Sequence, residues 1–291
     1  MARVQRALEV SQRRVCAVLE QPRSSQRYEG PTADDERRLV QRLRTLAQQH
    51  PRYGYRRITA LLRREGREVN RKRVQRLWRC EGLKVPQKQR KKRRLGHSAN
   101  SCARRRAERI NQVWSYDFVE DQTMDGKKLR LLPIVDEYTR ECLTIEVERH
   151  LTAKDVVATL QYLFELRGAP AFIRSDNGPE FIAQAVKEWL AATAVETLYI
   201  EPGSPWENAY SETFNSRLRD ELLDREVFTS LGEAKVLVED HRLEYNHQRP
   251  HSALGYQTPA EFASACRKCC KATLCSTCDK PQKESLLSVL P

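Results

Sequence analysis

The sequence predicts an α/β protein in which an all-α, helix-turn-helix-like segment precedes a mixed five-stranded sheet with helices on its faces. Apolar residues recur with helical spacing through residues 1–83. After residue 110 the pattern changes to short β-branched or alternating runs, which are typical of strands. With 40% hydrophobic residues the chain can build a packed core, which excludes disorder of the whole chain.

The N-terminal segment is predicted to hold five helices, because sets of apolar residues follow i, i+3, i+4 spacing. Ser11 is a candidate N-cap of the second helix, and Asn70 is a candidate N-cap of the fifth. Gly66 ends the fourth helix and lies in the short turn before the fifth, which gives a helix-turn-helix arrangement. The apolar sets begin at Val4, Val15, Leu39, Ile58 and Val74.

The fifth helix carries a basic face, since Lys72, Arg76 and Arg79 lie opposite its apolar face of Val74 and Trp78. Such a face suits the major groove or the phosphates of DNA. A small helical bundle with a merely basic outer surface would show the same pattern. Both interpretations stay open at the level of sequence.

Positive charge is concentrated in the front of the chain. Residues 1–110 hold 32 Lys and Arg against 10 Asp and Glu, whereas residues 111–291 hold 20 against 29. Residues 84–110 include a dense run of like charges, which repel one another and predict an extended basic linker. That run contains Lys91, Lys92, Arg93 and Arg94. We expect the front half to bind nucleic acid in a salt-dependent manner; the alternative is a generally solvated basic surface.

Residues 111–265 are predicted to form the α/β domain. Three strands with two short connections make an antiparallel meander, and alternating helices and strands follow it. The predicted strands are 113–119, 129–135, 142–147, 172–175 and 195–200, and the predicted helices are 152–166, 179–192, 205–223 and 231–246.

Three acids stand out by their positions in these elements. Asp117 lies in the middle of an apolar strand, where an ionised side chain is costly unless it is compensated. Asp176 lies where a strand turns into a loop, and Glu212 shares one side of a helix with Asn215 and Arg219. Ordinary alternatives exist: a buried partner of an arginine for the first, a turn or helix cap for the second, and a solvated charge for the third.

Five segments resemble the integrase catalytic core of the DDE transposase and retroviral-integrase superfamily. Asp176 and Glu212 are separated by 35 residues, the separation for which this group is named. The segments are NQVWSYDF at 111–118, IVDEYTR at 134–140, IRSDNGPEF at 173–181, EPGSPWENAYSETFNSRLRDE at 201–221 and YNHQRPHSALGYQTPAEF at 245–262. Two further segments, HPRYGYRRI at 50–58 and VNRKRVQRLW at 69–78, narrow the resemblance to OrfB proteins of bacterial IS-three-type insertion sequences.

The resemblance implies an RNase H-like fold with Asp117, Asp176 and Glu212 as catalytic acids that hold two magnesium ions, with manganese as a substitute. It implies hydrolysis that exposes a 3′-OH at the element end, followed by attack of that 3′-OH on a phosphodiester. Asn215 and Arg219 are implied to contact DNA. An ion pair between Arg219 and a neighbouring acid is the open alternative.

The partners implied are DNA, as element ends and as target, further copies of the chain on DNA, and an upstream OrfA protein, separate or fused. Two other functions stay open: a nuclease of the same fold without joining activity, and an inactive DNA-binding regulator. No apolar run approaches the roughly 18 residues that span a bilayer, and no secretory signal is visible. We therefore expect a cytoplasmic protein, associated with the nucleoid when bound to DNA, and no membrane partner.

Residues 266–291 are predicted to be a disordered Cys-rich tail. Two cysteine pairs there have the spacing of zinc ligands, Cys266 with Cys269 and Cys275 with Cys278. The loop between the pairs is short for a zinc ribbon. Free thiols are therefore the preferred interpretation, with a zinc site as the alternative.

Overall fold

Helices form in the N-terminal region where their periodicity and caps predicted them. The computed structural model describes residues 10–20, 22–23, 33–85, 106–175, 184–193, 195–199 and 209–272. Within these ranges the N-terminal helices are α1 (Gln12–Val18), α2 (Ala33–Gln49), α3 (Tyr55–Arg64) and α4 (Arg71–Cys80). The helix predicted around Val4 lies outside the described residues.

Both predicted N-caps are confirmed. The Ser11 hydroxyl accepts a hydrogen bond from the backbone N–H of Arg14 at 3.4 Å, and the Asn70 side chain accepts one from Lys72 at 2.9 Å. Gly66 has a φ of +77°, the left-handed conformation that ends a helix without a Cβ penalty. Buried residues of this region are Leu39, Leu43, Leu46, Ile58, Val74 and Leu77.

The described parts of the chain fall into two compact units, one within residues 1–59 and 68–85, the other within residues 60–67 and 86–291. The second unit is built around a mixed sheet. Its strands are β1 (Val113–Tyr116), β2 (Val119–Gln122), β3 (Lys128–Asp136), β4 (Cys142–Glu148), β5 (Phe172–Ser175) and β6 (Glu196–Tyr199). Its helices are α5 (Ala153–Arg167), α6 (Gln184–Ala192), α7 (Ala209–Leu218), α8 (Leu231–His247) and α9 (Pro259–Ala272), with a π-helical turn at Arg219–Leu223 and a 3₁₀ turn at Ser252–Leu254.

The sheet is mixed, as predicted. Strand β3 pairs antiparallel with β4 on one edge and with β1 and β2 on the other. Strand β1 also pairs in parallel with β5, and β5 pairs in parallel with β6. The predicted antiparallel meander and the two later parallel strands are therefore both present.

Within the described residues the sheet has six strands where five were predicted, because the first predicted strand is divided between β1 and β2. The two pieces keep one register on β3, with Tyr116 opposite Ile134 and Val119 opposite Leu131. Residue 117 therefore faces Pro133. The Glu137 N–H donates to the Val113 carbonyl at 3.0 Å, so every second N–H of β3 points toward β1, and Pro133 is in that series.

Proline has no N–H, so the ladder lacks a donor at this position and the strand is interrupted at Asp117 and Phe118. Asp117 was predicted to lie in the middle of a strand. It lies instead in the gap between β1 and β2, directly after Tyr116.

Helices cover both faces of the sheet. One face carries Trp114 and Tyr116 of β1 and packs in one apolar cluster with residues of α5 and α6. The other face carries Val135 of β3 and packs with Phe214 of α7 and residues of α8. Because side chains alternate along a strand, Ser115 and Asp117 belong to the α7 side.

The predicted boundary between core and tail at residue 266 differs from the structure. Helix α9 continues through Ala272, and Cys266 is buried with Val113, Tyr138 and Phe172. The end of the packed region therefore lies beyond residue 265. Across the described ranges, no helix combines the length and the apolar character needed to cross a membrane.

Candidate active site

Asp117 is half-buried at the interruption of the first strand, on the face covered by α7. Its Oδ2 accepts a hydrogen bond from Nδ2 of Asn215 on α7 at 3.0 Å. Asn215 is only 8% exposed, and its Oδ1 is buried with no hydrogen-bond partner within the described residues. The contact joins two side chains that the sequence had nominated separately.

Three contacts fix helix α7 along its length. Near its start, the Tyr210 ring lies 3.6 Å from the Arg140 guanidinium carbon, a cation–π contact with the turn between β3 and β4. In its middle, Asn215 binds Asp117. Just past its end, Arg219 donates to the Glu120 carbonyl of β2 at 3.1 Å. The rotation of the helix about its axis is therefore set by the sheet beside it.

Glu212 lies on α7 between the first two of these contacts and is exposed to solvent. It precedes Asn215 by three residues, so the two Cβ atoms are neighbours on the helix surface, roughly 5–6 Å apart. The structure thus brings Glu212 to the same turn of helix that holds Asp117.

Asp176 lies outside the described residues. The residue before it, Ser175, ends strand β5, which pairs in parallel with β1. Its register places Ser115 opposite Arg174, two residues before Asp117 and Asp176 respectively.

Arg219 lies in the π-helical turn and donates to a backbone carbonyl rather than to a neighbouring acid. The alternative was an ion pair of Arg219 with Asp220 or Glu221. Of these two acids, Glu221 binds Arg249 through both carboxylate oxygens at 2.6 and 2.7 Å. That pair is buried, and its partners come from the π-helical turn and from the segment that follows α8.

Two acids of the segment 134–140, Asp136 and Glu137, have structural partners. Asp136 ends β3 and accepts hydrogen bonds from the backbone N–H groups of Tyr138, Thr139 and Asn111 at 2.8–2.9 Å. Burial nevertheless raises the pKa of Asp136 above its usual value. The neighbouring Glu137 forms a buried ion pair with Arg174 of β5 at 3.0 Å. Asp136 therefore stabilises the turn after β3, and Glu137 links that turn to β5.

The basic residues predicted to face DNA differ in their contacts, and some lie outside the described residues. Lys72 and Arg79 are exposed on α4. Arg76 is also exposed, but its guanidinium forms an ion pair with Glu36 of α2. The linker residues lie outside the described part of the chain, namely Lys91, Lys92, Arg93 and Arg94.

The cysteines predicted as possible zinc ligands are described only in part. Cys266 is buried against apolar residues, and Cys269 is on α9 with its side chain outside the described set. Cys275 and Cys278 lie outside the described residues. In the part of the chain that the structure describes, no group of three or more His, Cys, Asp or Glu side chains could hold a metal ion.

Sequence reasoning missed the Asn215–Asp117 hydrogen bond and the role of Pro133. Asn215 was expected on the side of α7 away from the apolar stripe, yet it is buried against β1. A proline inside an otherwise apolar strand was the visible signal for an interruption, but its partner could be known only from the register.

Protein-family models match both the N-terminal helical region and the α/β region of the chain. Two models described as integrase core domain match residues 107–205 and 193–259, and a model described as HTH-like domain matches residues 34–92. Among solved structures, a simian T-cell lymphotropic virus intasome is similar at 16% identity with a TM-score of 0.48, covering 75% of this chain and 73% of that one.

Several insertion-element proteins are similar over most of the chain. A 31.7 kDa protein of insertion element IS407 from Burkholderia multivorans is 37% identical over 91% of this chain and 94% of its own length. A protein of insertion element IS476 from Xanthomonas euvesicatoria is 38% identical, over 88% of this chain and 73% of its own length. The transposase InsK of IS150 from Escherichia coli is 28% identical, over 72% and 77%.

Proposed function

The chain belongs to the insertion-element transposases that carry an integrase core domain, and on that premise we propose that Asp117, Asp176 and Glu212 are its catalytic acids. The reaction proposed is cleavage of DNA at the element end, followed by transfer of the resulting 3′-OH to a target phosphodiester. The observation that carries the proposal is the hydrogen bond between Asn215 and Asp117, which joins the strand of one acid to the helix of another.

The sheet topology supports a position of Asp176 close to Asp117 and Glu212. Strands β1 and β5 are parallel neighbours, so their carboxyl ends reach the same edge of the sheet. Asp117 follows β1 directly, and Asp176 follows β5 directly. At a carboxyl edge of this kind, side chains from adjacent strands converge on a common ligand.

The donor set fits a divalent metal ion of the magnesium type. Carboxylate oxygens are the protein ligands that magnesium prefers, and it retains water and substrate oxygens on its other positions. The buried Asn215 Oδ1, which has no hydrogen-bond partner within the described residues, adds an acceptor beside Asp117 for a proton of a ligating water. We propose two such ions, with manganese as a substitute.

When bound, the metal would activate the attacking oxygen and stabilise the leaving oxygen of the phosphodiester. Asp117 and Glu212 would hold it, and Asp176 would complete the set. Asn215 keeps the Asp117 carboxylate in one orientation by donating to Oδ2. No side-chain nucleophile is needed, because water and then the DNA 3′-OH attack in turn.

DNA binding is proposed for residues 1–83 and for the basic linker 84–110, with catalysis in residues 111–265. The exposed Lys72 and Arg79 supply phosphate contacts without sequence information. Arg219, seven residues after Glu212, adds a cation that its contact with the Glu120 carbonyl holds against β2. Assembly of further copies on DNA and an upstream OrfA partner belong to the same proposal.

A joining assay with pre-cut ends tests the reaction class. A labelled duplex that copies the element end and carries a free 3′-OH is incubated with the chain, magnesium and a supercoiled plasmid. We expect labelled plasmid, and none when the end carries a 3′-deoxy terminus. Plasmid nicking that is equal with both ends would identify a nuclease without joining activity. The assay is repeated with the OrfA–OrfB fusion.

A further inference from the structure

The start of helix α3 gathers a hydroxyl and a guanidinium at the surface of the first unit. Tyr55 is the first residue of α3, and its hydroxyl oxygen accepts a hydrogen bond from Nε of Arg56 at 3.2 Å. The Arg56 guanidinium carbon also lies 5.8 Å from the centre of the Tyr55 ring. Because the hydroxyl accepts from Arg56, its own O–H proton can be donated to a ligand.

Two cations from α4 act on the same hydroxyl. The pKa of Tyr55 is lowered, first by the hydrogen bond from Arg56 and then by the positive charges of Arg56, Arg71 and Arg79. Arg71 and Arg79 are both exposed. Arg56 contacts this hydroxyl directly, and the guanidinium groups of Arg56, Arg71 and Arg79 each offer only donors to a ligand.

Other cations of α4 are already paired with acids. Arg73 binds Asp35 at 2.8 Å, and Arg76 binds Glu36, both acids being in the first turn of α2. A pair of this kind offsets the positive charge that the helix presents on that side. These pairs leave Arg71, Lys72 and Arg79 as exposed cations of α4 outside the contacts with α2.

The chain before α3 gives this cluster a firm base. Tyr53 is buried and stacks on His50, with ring centroids 4.6 Å apart and an angle of 8° between the planes. The Arg57 guanidinium carbon lies 5.1 Å from the centre of the same Tyr53 ring. The N-terminus of α3 adds a positive helix dipole at Tyr55, where an anion is stabilised.

We propose that Tyr55, Arg56, Arg71 and Arg79 form a phosphate site that holds the backbone of duplex DNA. The site deepens the DNA-binding part of the proposed function and rests on it. It separates Arg71 and Arg79, which are proposed to contact DNA, from Arg73 and Arg76, which are paired with acids of α2.

The test measures DNA binding by the full chain without metal. The fluorescence anisotropy of a labelled duplex reports binding across a series of salt concentrations. Each phosphate contact contributes about −0.9 to the slope of log K against log salt concentration. We expect Arg71→Ala and Arg79→Ala each to make the slope shallower by about 0.9. Arg76→Ala is the matched control on the same helix and leaves the slope unchanged, because that charge is already paired.

Tyr55→Phe separates the hydroxyl from the charges. It removes one hydrogen-bond donor, so we expect affinity to fall roughly 2- to 10-fold with no change in slope. Circular dichroism melts of every variant identify any that fail to fold. For an arginine variant that fails to fold, replacement by Gln retains the first part of the aliphatic stem while it removes the charge.

Several outcomes would overturn the site. Unchanged slopes for Arg71→Ala and Arg79→Ala, with wild-type binding intact, would exclude these contacts. An equal change in Arg76→Ala would mean that the charge is diffuse. If inorganic phosphate at matched ionic strength displaces DNA from wild type alone, the site binds the free anion. If the chain prefers duplex RNA to duplex DNA, the partner is RNA. A wild-type chain that binds no DNA would instead contradict the proposed function.

Discussion

At the scale of single residues, the Asn215 amide has two different surroundings. Its Nδ2 donates to Asp117 at 3.0 Å, while its Oδ1 is buried with no hydrogen-bond partner among the described residues. A buried acceptor without a partner costs free energy, roughly 1–3 kcal/mol, unless water or a ligand satisfies it. Asn215 is therefore suited to orient Asp117 on one side and a bound water on the other.

We predict that Asn215→Ala lowers strand joining by roughly 10- to 100-fold, the range found when a partner of a metal-binding side chain is removed. The measurement is the rate of joining over a series of magnesium concentrations. Loss of orientation should raise the magnesium concentration needed for half-maximal rate. Thr213→Ala is the matched control, because Thr213 is exposed on the same helix.

Equal rates and equal magnesium requirements for Asn215→Ala and Thr213→Ala would show that the hydrogen bond to Asp117 is only structural. DNA affinity measured without metal should be the same for both variants. A loss of affinity in Asn215→Ala alone would favour a direct DNA contact by Asn215 instead.

At the scale of elements, the buried pair between Glu221 and Arg249 joins the π-helical turn to the segment after α8. Their side chains are 8% and 3% exposed, and two hydrogen bonds join them. The Arg249 guanidinium carbon also lies 5.3 Å from the centre of the Tyr245 ring, and Nη1 lies 3.2 Å from Nε2 of His251. The pair holds the turn that carries Arg219.

We predict that Arg249→Met lowers the free energy of unfolding by about 3–5 kcal/mol, because it leaves the Glu221 charge buried and uncompensated. Urea denaturation measures the change. The double variant Glu221→Leu with Arg249→Met removes both charges, so it should recover most of the loss. If the double variant is as unstable as Arg249→Met, packing rather than the buried charge dominates.

Helix α8 carries a pH-sensitive group in His241. Burial lowers its pKa below the ordinary 6.5; the charges of Glu221 and Glu244 oppose the shift, and those of Arg249 and Arg225 add to it. The folded chain thus holds this imidazole neutral at pH values where the unfolded chain already binds a proton. It follows that the free energy of unfolding decreases as the pH falls below about 6.5, down to the lower folded pKa.

We predict that His241→Phe flattens this part of the dependence of stability on pH, while His247→Phe leaves it unchanged. His247 is the matched control because it is exposed on the same helix. Urea denaturation between neutral and mildly acidic pH gives the two slopes. An unchanged slope in His241→Phe would mean that other groups cause the acid destabilisation.

The interruption of the first strand illustrates what could not be predicted from sequence. Alternating and β-branched residues predicted one strand over residues 113–119, and the structure divides it into β1 and β2. The gap depends on Pro133, which is adjacent to Asp117 only because β3 folds back in one particular register. Local pattern cannot supply a register between segments that are far apart in the chain.

At the scale of the whole molecule, the acids were nominated from the sequence, but their environments were not. The position of Glu212 on a helix followed from periodicity and from the family resemblance, whereas Asp117 was expected inside a strand and lies directly after β1. The burial of Asn215 against β1 depended on the rotation of α7, which tertiary contacts at Tyr210 and Arg219 fix. Likewise, the pairing of Arg76 with Glu36 joins two helices of the first unit.

The division of charge along the chain has a functional consequence. Under the proposed function, the basic residues 1–110 bind DNA phosphates without metal, and the three acids need a metal ion before a phosphodiester can enter their site. DNA binding and DNA joining should therefore respond differently to removal of magnesium. Chelation should abolish joining and leave salt-dependent binding in place.

The assignment of the catalytic acids is tested by a strand-joining assay with magnesium and element-end duplexes. The assay compares wild type with Glu212→Gln. Glu212→Gln keeps the size and the exposed position of the side chain but removes its charge. We predict joined product from wild type and from the Thr213→Ala control, and none from Glu212→Gln, although all three bind DNA equally. Joined product from Glu212→Gln at the wild-type rate would contradict the assignment of the catalytic acids.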